Sequence, residues 1–516
     1  MPEVYSTLTA LFTDIADAIR ETTGDIDLII ADDFPDVIRD SLQVKPYLTF
    51  KSPNSFTLAV GDATKHWNGT LEHSTDASTW TTWDGTSALS SVADDGEYVL
   101  YLRGTGNTKI GYYDENVNVD DYIPWVINGT DVRCYGNIET LLDYASVGAG
   151  QHPTMAEDCF SGLFMGCTVL TRAPALPATT LADDCYFRMF KGCTALTQAP
   201  ALPATTLATN CYAGMFFGCT SLTQAPALPA TTLAYGCYSN MFQGCTSLTK
   251  APALPATTLA IYCYRYMFNG CTALTQAPAL PATTLAEWCY RYMFEDCTAL
   301  TKAPALPAIT LANYCYSEMF KGCTSLIQAP SLPATTLTRN CYGSMFSGCT
   351  SLTQAPTLPA TTLAYGCYSN MFYGCTSLTQ TPTLTATTLA DSCYFAMFYD
   401  CTSLTRAPAL PATTLANYCY RYMFYGCTAL TQAPALPATT LADYCYQYMF
   451  QKCSKIKLSS TQTGEYTVTY RIPSSGTGAT ATNALTNMFT NTGGTFTGTP
   501  EINTTYYLSN TNTVVS

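Results

Sequence analysis

From residue 146 to 455, apolar and polar positions recur with a period of 26 residues. One unit reads L-T-x-A-P-A-L-P-A-T-T-L-A-x-x-C-Y-x-x-M-F-x-G-C-T-S. Twelve leading cysteines, from Cys159 to Cys445, each have a second cysteine eight residues on, from Cys167 to Cys453. This period is that of a solenoid, in which each unit exposes an apolar face that only its neighbours cover. Within "CYAGMFFGC", Cys211, Tyr212, Met215, Phe216 and Cys219 fall inside an arc of about 140° at the helical step of about 100° per residue. The changeable positions Asn210, Ala213, Gly214 and Phe217 take the opposite side. The pattern predicts an amphipathic helix that stops at Gly218. The other half, "LTQAPALPATTL", turns Leu196, Leu202 and Leu207 inward and predicts a parallel strand of about two to four residues, kept short by Pro200 and Pro203.

The pattern changes upstream. Leu8, Leu11, Phe12, Ile15 and Ile19 share one helical face, and "DDFPDVIRDSL" predicts a second short helix with Pro35 in its first turn. Residues 1–45 build little core alone, so they are expected to dock on a partner or oligomerise. Residues 46–145 alternate apolar and polar positions between turn signals such as "WDGT" and "DDGE", which predicts an antiparallel β-sandwich. Its Trp67, Trp80, Trp83 and Trp125 are read first as core and second as a carbohydrate-stacking platform. "GNIETLLDYA" predicts a helix leading into the solenoid of about twelve units at 146–455, and residues 456–516, with "NALTNMFTNTGGTF", a degenerate capping unit and tail.

Composition narrows the function classes. Of 516 residues 47% are hydrophobic and only 12% charged, which argues against disorder. The net charge of −14 is uneven: residues 1–150 hold 24 acidic and 8 basic groups, leaving 13 and 15 for the rest. No basic stripe exists to neutralise phosphates, so nucleic acid is not expected as a partner. No window approaches 18 consecutive apolar residues and the first residues lack a basic head before an apolar run, so neither a membrane span nor a signal peptide is expected. The C-x7-C spacing does not suit zinc, and cysteines eight apart on a helix are about 12 Å from each other, too far for a disulfide. The cysteines are therefore read as small buried hydrophobes, with no metal or other cofactor.

Three short strings carry resemblances. "MFQGCTSL" at Met241 to Leu248 is similar to the "AFxGCxSL" box of BspA-like leucine-rich repeat proteins, a likeness covering roughly residues 150–455 with Met in place of Ala. It implies a leucine-rich-repeat solenoid of α/β coils. "IADAIRETTG…DDFPDVI" resembles the opening of tail-associated proteins of bacteriophages and prophages, which implies attachment to other virion proteins through residues 1–45. "LPATT" looks like a truncated LPxTG sorting signal. It recurs nine times from Leu176 to Leu436, with altered copies at Leu306 and Leu384, and so marks a bend in the coil rather than an address.

Catalysis is not expected, because the solenoid's acids Glu287, Glu295, Asp296, Glu318 and Asp391 lack a fixed pairing. Binding is. The changeable positions carry Tyr235, Tyr262, Arg265, Tyr266, Trp288, Arg291, Tyr292, Tyr314, Tyr418, Arg421, Tyr422, Tyr444 and Tyr448, residue types that suit recognition surfaces. The sequence thus predicts a phage tail or fibre protein that binds a glycan or protein of the bacterial host surface, with a homo-oligomer left open. The alternatives are a BspA-like bacterial cell-surface adhesin and a purely structural virion component.

Overall fold

The computed structural model describes residues 45–111, 123–473 and 481–516. The expected attachment helices of residues 1–45 lie outside the described residues, apart from Lys45 itself.

The N-terminal region is a set of nine strands: β1 (Leu48–Ser52), β2 (Thr57–Val60), β3 (Thr70–Ser74), β4 (Thr81–Trp83), β5 (Leu89–Ser90), β6 (Val92–Asp94), β7 (Glu97–Thr105), β8 (Trp125–Asn128) and β9 (Val132–Tyr135). One sheet runs β9-β1-β7-β3-β4, with β6 also on β7, and a second runs β5-β2-β8. Their pairings are antiparallel, with β1 against β7 matching Leu48 to Leu102 and Phe50 to Leu100. The alternation seen in the sequence puts Leu48, Phe50, Leu100 and Leu102 on the buried face. Helix α1 (Thr140–Gly148), interrupted at Asp143, packs on β7. It comes so close that a Cβ on Gly104 would collide with the carbonyl oxygen of Leu141. Trp67, Trp83 and Trp125 are at most 5% exposed and pack in sequence, Trp67 tilted on Trp83 at 5.2 Å and Trp83 edge-on to Trp125 at 5.8 Å. They are core, and the carbohydrate platform is ruled out for these three.

This core continues into the solenoid. Trp125 meets Phe164 edge-on at 5.9 Å, and the parallel pair of β9 with β10 (Leu170–Arg172) covers the first coil's open edge. At the far end β16 (Thr513–Val515) pairs with β11 (Gln432–Pro434). There β12 (Lys457–Ser459), β13 (Tyr466–Arg471), β14 (Gly493–Gly494) and β15 (Thr505–Ser509) form a small sheet.

The coil itself departs from the sequence expectation: no α-helix follows the cysteines. In the Cys211 coil, alternate amides bond within the coil, Ala213 N to Asn210 O at 2.8 Å and Met215 N to Tyr212 O at 3.2 Å. The intervening amides bond to the next coil, Tyr212 N to Cys237 O at 3.1 Å and Phe216 N to Met241 O at 2.9 Å. The segment is a chain of overlapping β-turns. Those spanning 208–211, 212–215 and 216–219 have a positive φ at their third residue, Asn210, Gly214 and Gly218, as a type II turn requires. The result is a repeat of four residues, two inward and two outward. Over nine residues a period of four and one of 3.6 select the same side, so the inward set was legible and its backbone was not.

The inward set forms columns along the solenoid. Phe190, Phe216, Phe242 and their equivalents stack at 5.6–5.8 Å. Tyr212, Tyr238 and theirs stack at 5.7–5.9 Å. All 25 cysteines are buried and free. The second cysteine of each pair does more than fill space: Cys245 Sγ donates to Phe216 O at 3.1 Å, and the same bond recurs from Cys193 to Cys453. Burial pushes the thiols up, to about 12 at Cys219 and Cys271, so they stay protonated donors.

The strand half is thinner than expected. In place of continuous strands the coils meet at single parallel bridges in two columns, such as Gln224 to Lys250 and Thr232 to Thr258, and most pairs of coils keep only one of the two. Pro200 and Pro203 between those columns supply no amide. Leu196 and Leu202 are buried, Leu207 only partly. In "LPATT", Leu202 and Ala204 face in while Pro203, Thr205 and Thr206 face out around the bend.

Candidate recognition face

The turn chain decides which side chains leave the core. Three outward positions per coil, those of Asn210, Gly214 and Gly218, have left-handed backbone, and the first two vary most between coils. Glycine and asparagine tolerate that conformation, whereas a bulky side chain there costs about 1–2 kcal/mol. Yet nine of the sequence-selected residues stand on these positions: Tyr262, Tyr266, Trp288, Tyr292, Tyr314, Tyr418, Tyr422, Tyr444 and Tyr448, with φ between 57° and 60°. Arg265, Arg291 and Arg421 sit just before the second position of their coils, and Tyr235 precedes Gly236.

These residues gather into two patches. In the first, Trp288 stacks on Tyr314 at 4.2 Å and Tyr266 on Tyr292 at 4.3 Å, while Tyr262 leans on Trp288 at 5.8 Å and meets Tyr235 edge-on at 5.4 Å. In the second, Tyr418 stacks on Tyr444 and Tyr422 on Tyr448, both at 4.7 Å. The arginines lie against the rings: Arg265 is 4.9 Å from the Tyr266 ring centre, Arg291 is 4.4 Å from Trp288, and Arg421 is 4.9 Å from Tyr422. All are half-buried except Tyr235, which is 47% exposed.

The electrostatics separate the patches from their surroundings. Arg291 is paired with Glu318 at 3.0 Å, and Lys321 binds Glu295 at 2.9 Å and Glu318 at 3.4 Å. The scattered acids Glu295 and Glu318 thus belong to an ion-pair network, and burial raises the Glu295 carboxyl despite Lys321. Burial, then the neighbouring Glu318, raises the Tyr292 phenol. At Tyr314 burial is outweighed by hydrogen bonds with Asn340 and Arg339, which lower it.

The structure adds residues that the sequence reading left out. Tyr373, Tyr399 and Tyr425 stack at 4.6 and 4.4 Å in the column of Phe217, with Lys452 5.0 Å from the last ring. Phe395 meets Tyr422 edge-on at 5.8 Å. Arg339 lies 4.6 Å from the Tyr365 ring and donates to Tyr314 Oη at 3.1 Å. The 26-residue spacing of Tyr373, Tyr399 and Tyr425 was the available signal.

The family model described as BspA type leucine rich repeat region matches in six copies, over residues 164–301, 237–379 and 367–471. No curated protein matches. A solved structure of a leucine-rich repeat protein from Bacteroides ovatus ATCC 8483, at 1.19 Å resolution, is similar at 22% identity. It covers 54% of this chain and 69% of its own, with a TM-score of 0.31.

Proposed function

This chain belongs to the BspA type leucine-rich repeat family, and from that premise we propose that it is a non-enzymatic recognition protein whose aromatic outer columns bind a surface glycan or protein. One observation carries the reading: nine tyrosines and tryptophans occupy left-handed backbone positions where other coils place Asn, Gly, Ser, Ala or Asp and, once each, Arg and Glu. Stacking returns about 0.5–1.5 kcal/mol per pair, so packing alone roughly cancels the strain and gives no reason to keep the rings. A ligand that stacks on them does. Replacing Tyr262, Tyr266, Tyr418 and Tyr422 together by Asn keeps the backbone content and removes the rings. Binding of the purified protein to whole bacterial cells should then fall at least tenfold, and unchanged binding by a folded variant would sink the proposal.

Two settings fit this role. A cell-surface adhesin accords with a family typical of bacterial surface proteins. No helix among the described residues is long and apolar enough to cross a membrane. A phage tail or fibre protein that binds the host surface is favoured by one specific observation, the "IADAIRETTG…DDFPDVI" string. Fractionation separates them: recovery in purified particles supports the virion setting, and recovery only in cell envelopes supports the adhesin.

A further inference from the structure

The motif Cys-Tyr-Arg-Tyr-Met-Phe occurs three times, at Cys263, Cys289 and Cys419, and the structure gives the three arginines two different surroundings. Arg421 lies among four tyrosines, its guanidinium 5.5 Å from Tyr418, 4.9 Å from Tyr422, 5.5 Å from Tyr444 and 5.9 Å from Tyr448. Arg265 has the same frame: the Tyr262–Trp288 and Tyr266–Tyr292 pairs, with Tyr262, Tyr266 and Trp288 at 5.2, 4.9 and 5.7 Å. At Arg291 the fourth corner is Glu318, and the charge is neutralised. Arg265 and Arg421 have no carboxylate partner among the described residues, and the Nε of each, like that of Arg291, is shut from solvent without an acceptor. A half-buried, unpaired guanidinium between aromatic walls presents a planar fork of donors, which matches a carboxylate, while the rings match the apolar faces of sugars.

We propose that the two boxes are equivalent sites for one acidic glycan, each binding a carboxylate-bearing sugar ring. This rests on the recognition reading above and narrows it to uronate- or sialate-type polymers. The two arginines are six coils apart on the same columns, roughly 30–35 Å at the stacking distances along this side. A single polymer chain can therefore bridge them, and binding gains from effective concentration.

The test uses the full chain and titration calorimetry with three polymers: polygalacturonate, hyaluronan and polysialic acid, each beside its carboxyl-reduced neutral form. Binding to at least one acidic polymer is expected, at least tenfold tighter than to its neutral form. Arg265→Gln or Arg421→Gln alone should weaken it about a hundredfold by removing the bridge, and both together should leave the neutral-polymer level. Arg406→Gln, on the bridge column, should change nothing. Glu318→Tyr, which frees Arg291 and completes a third box, should tighten binding. No binding to any acidic polymer, or equal binding to the neutral forms, overturns the proposal. Equal neutral-form binding that depends on Tyr262 and Tyr418 overturns it while leaving the recognition reading intact, and binding insensitive to both the arginines and the tyrosines removes both.

Discussion

The coils of Cys263 and Cys341 share every inward residue: Cys, Tyr, Met, Phe and Cys, all nearly unexposed. Outward they differ. Tyr262, Arg265 and Tyr266 in one stand where the other has Asn340, Gly343 and Ser344. In the second coil the residue choice follows what a left-handed position allows; in the first it contradicts it. The inner columns therefore hold the coil whatever the outer ones carry, which leaves the outer ones free for aromatic rings at a local cost. Natural sequences break local rules chiefly where another demand acts on the position.

Four measurements can break or sharpen this comparison. Phe268→Ala removes one ring from the inner stack and should destabilise by about 3–5 kcal/mol in denaturant unfolding. A loss below about 1 kcal/mol would mean that the columns do not hold the coil. Gly244→Ala tests the outer backbone alone. With φ at +73° and the nearest atom to an added Cβ, Gly218 Cα, 3.7 Å away, there is room, so the loss of about 1 kcal/mol comes from conformation.

Asp184 stands at a left-handed outer position, and burial, then the charge of Asp158, pushes its carboxyl up to about 6. The folded state thus holds this proton more tightly than the unfolded chain. The associated stability is present below the ordinary carboxylate range and is lost as pH rises through about 6. Asp184→Asn should raise stability at pH 7 by about 1 kcal/mol, solvent screening included, with no gain at pH 4. A gain at both pH values would refute the charge account. The smallest effect is Tyr266→Asn, where relief of backbone strain and loss of the 4.3 Å stack on Tyr292 oppose each other. The net stability change should stay within about 1 kcal/mol. A loss of several kcal/mol would show that the outer rings are structural.

Much of this was legible in the residues. The 26-residue period, the inward set and the changeable face all follow from which positions repeat, because a buried column tolerates one residue type and an exposed one tolerates several. The thirteen selected residues do lie together in two patches. Tyr373, Tyr399 and Tyr425 escaped because the five positions before them in the same column, Gln243, Asn269, Glu295, Lys321 and Ser347, are polar and hide the run of rings that follows. The tryptophan cluster was legible as core and is core at Trp67, Trp83 and Trp125.

The sequence by itself determined the solenoid, its unit length and which side chains face in, since hydrophobic burial reads composition position by position. It did not determine the backbone. A nine-residue stripe is compatible with both 3.6 and four residues per repeat, and the choice lies in where the amides find acceptors. Tyr212, Gly214, Phe216 and Gly218 find theirs 25 residues away, in the next coil. Only that inter-coil bonding fixes the left-handed positions, and through them where the rings and the two unpaired arginines stand.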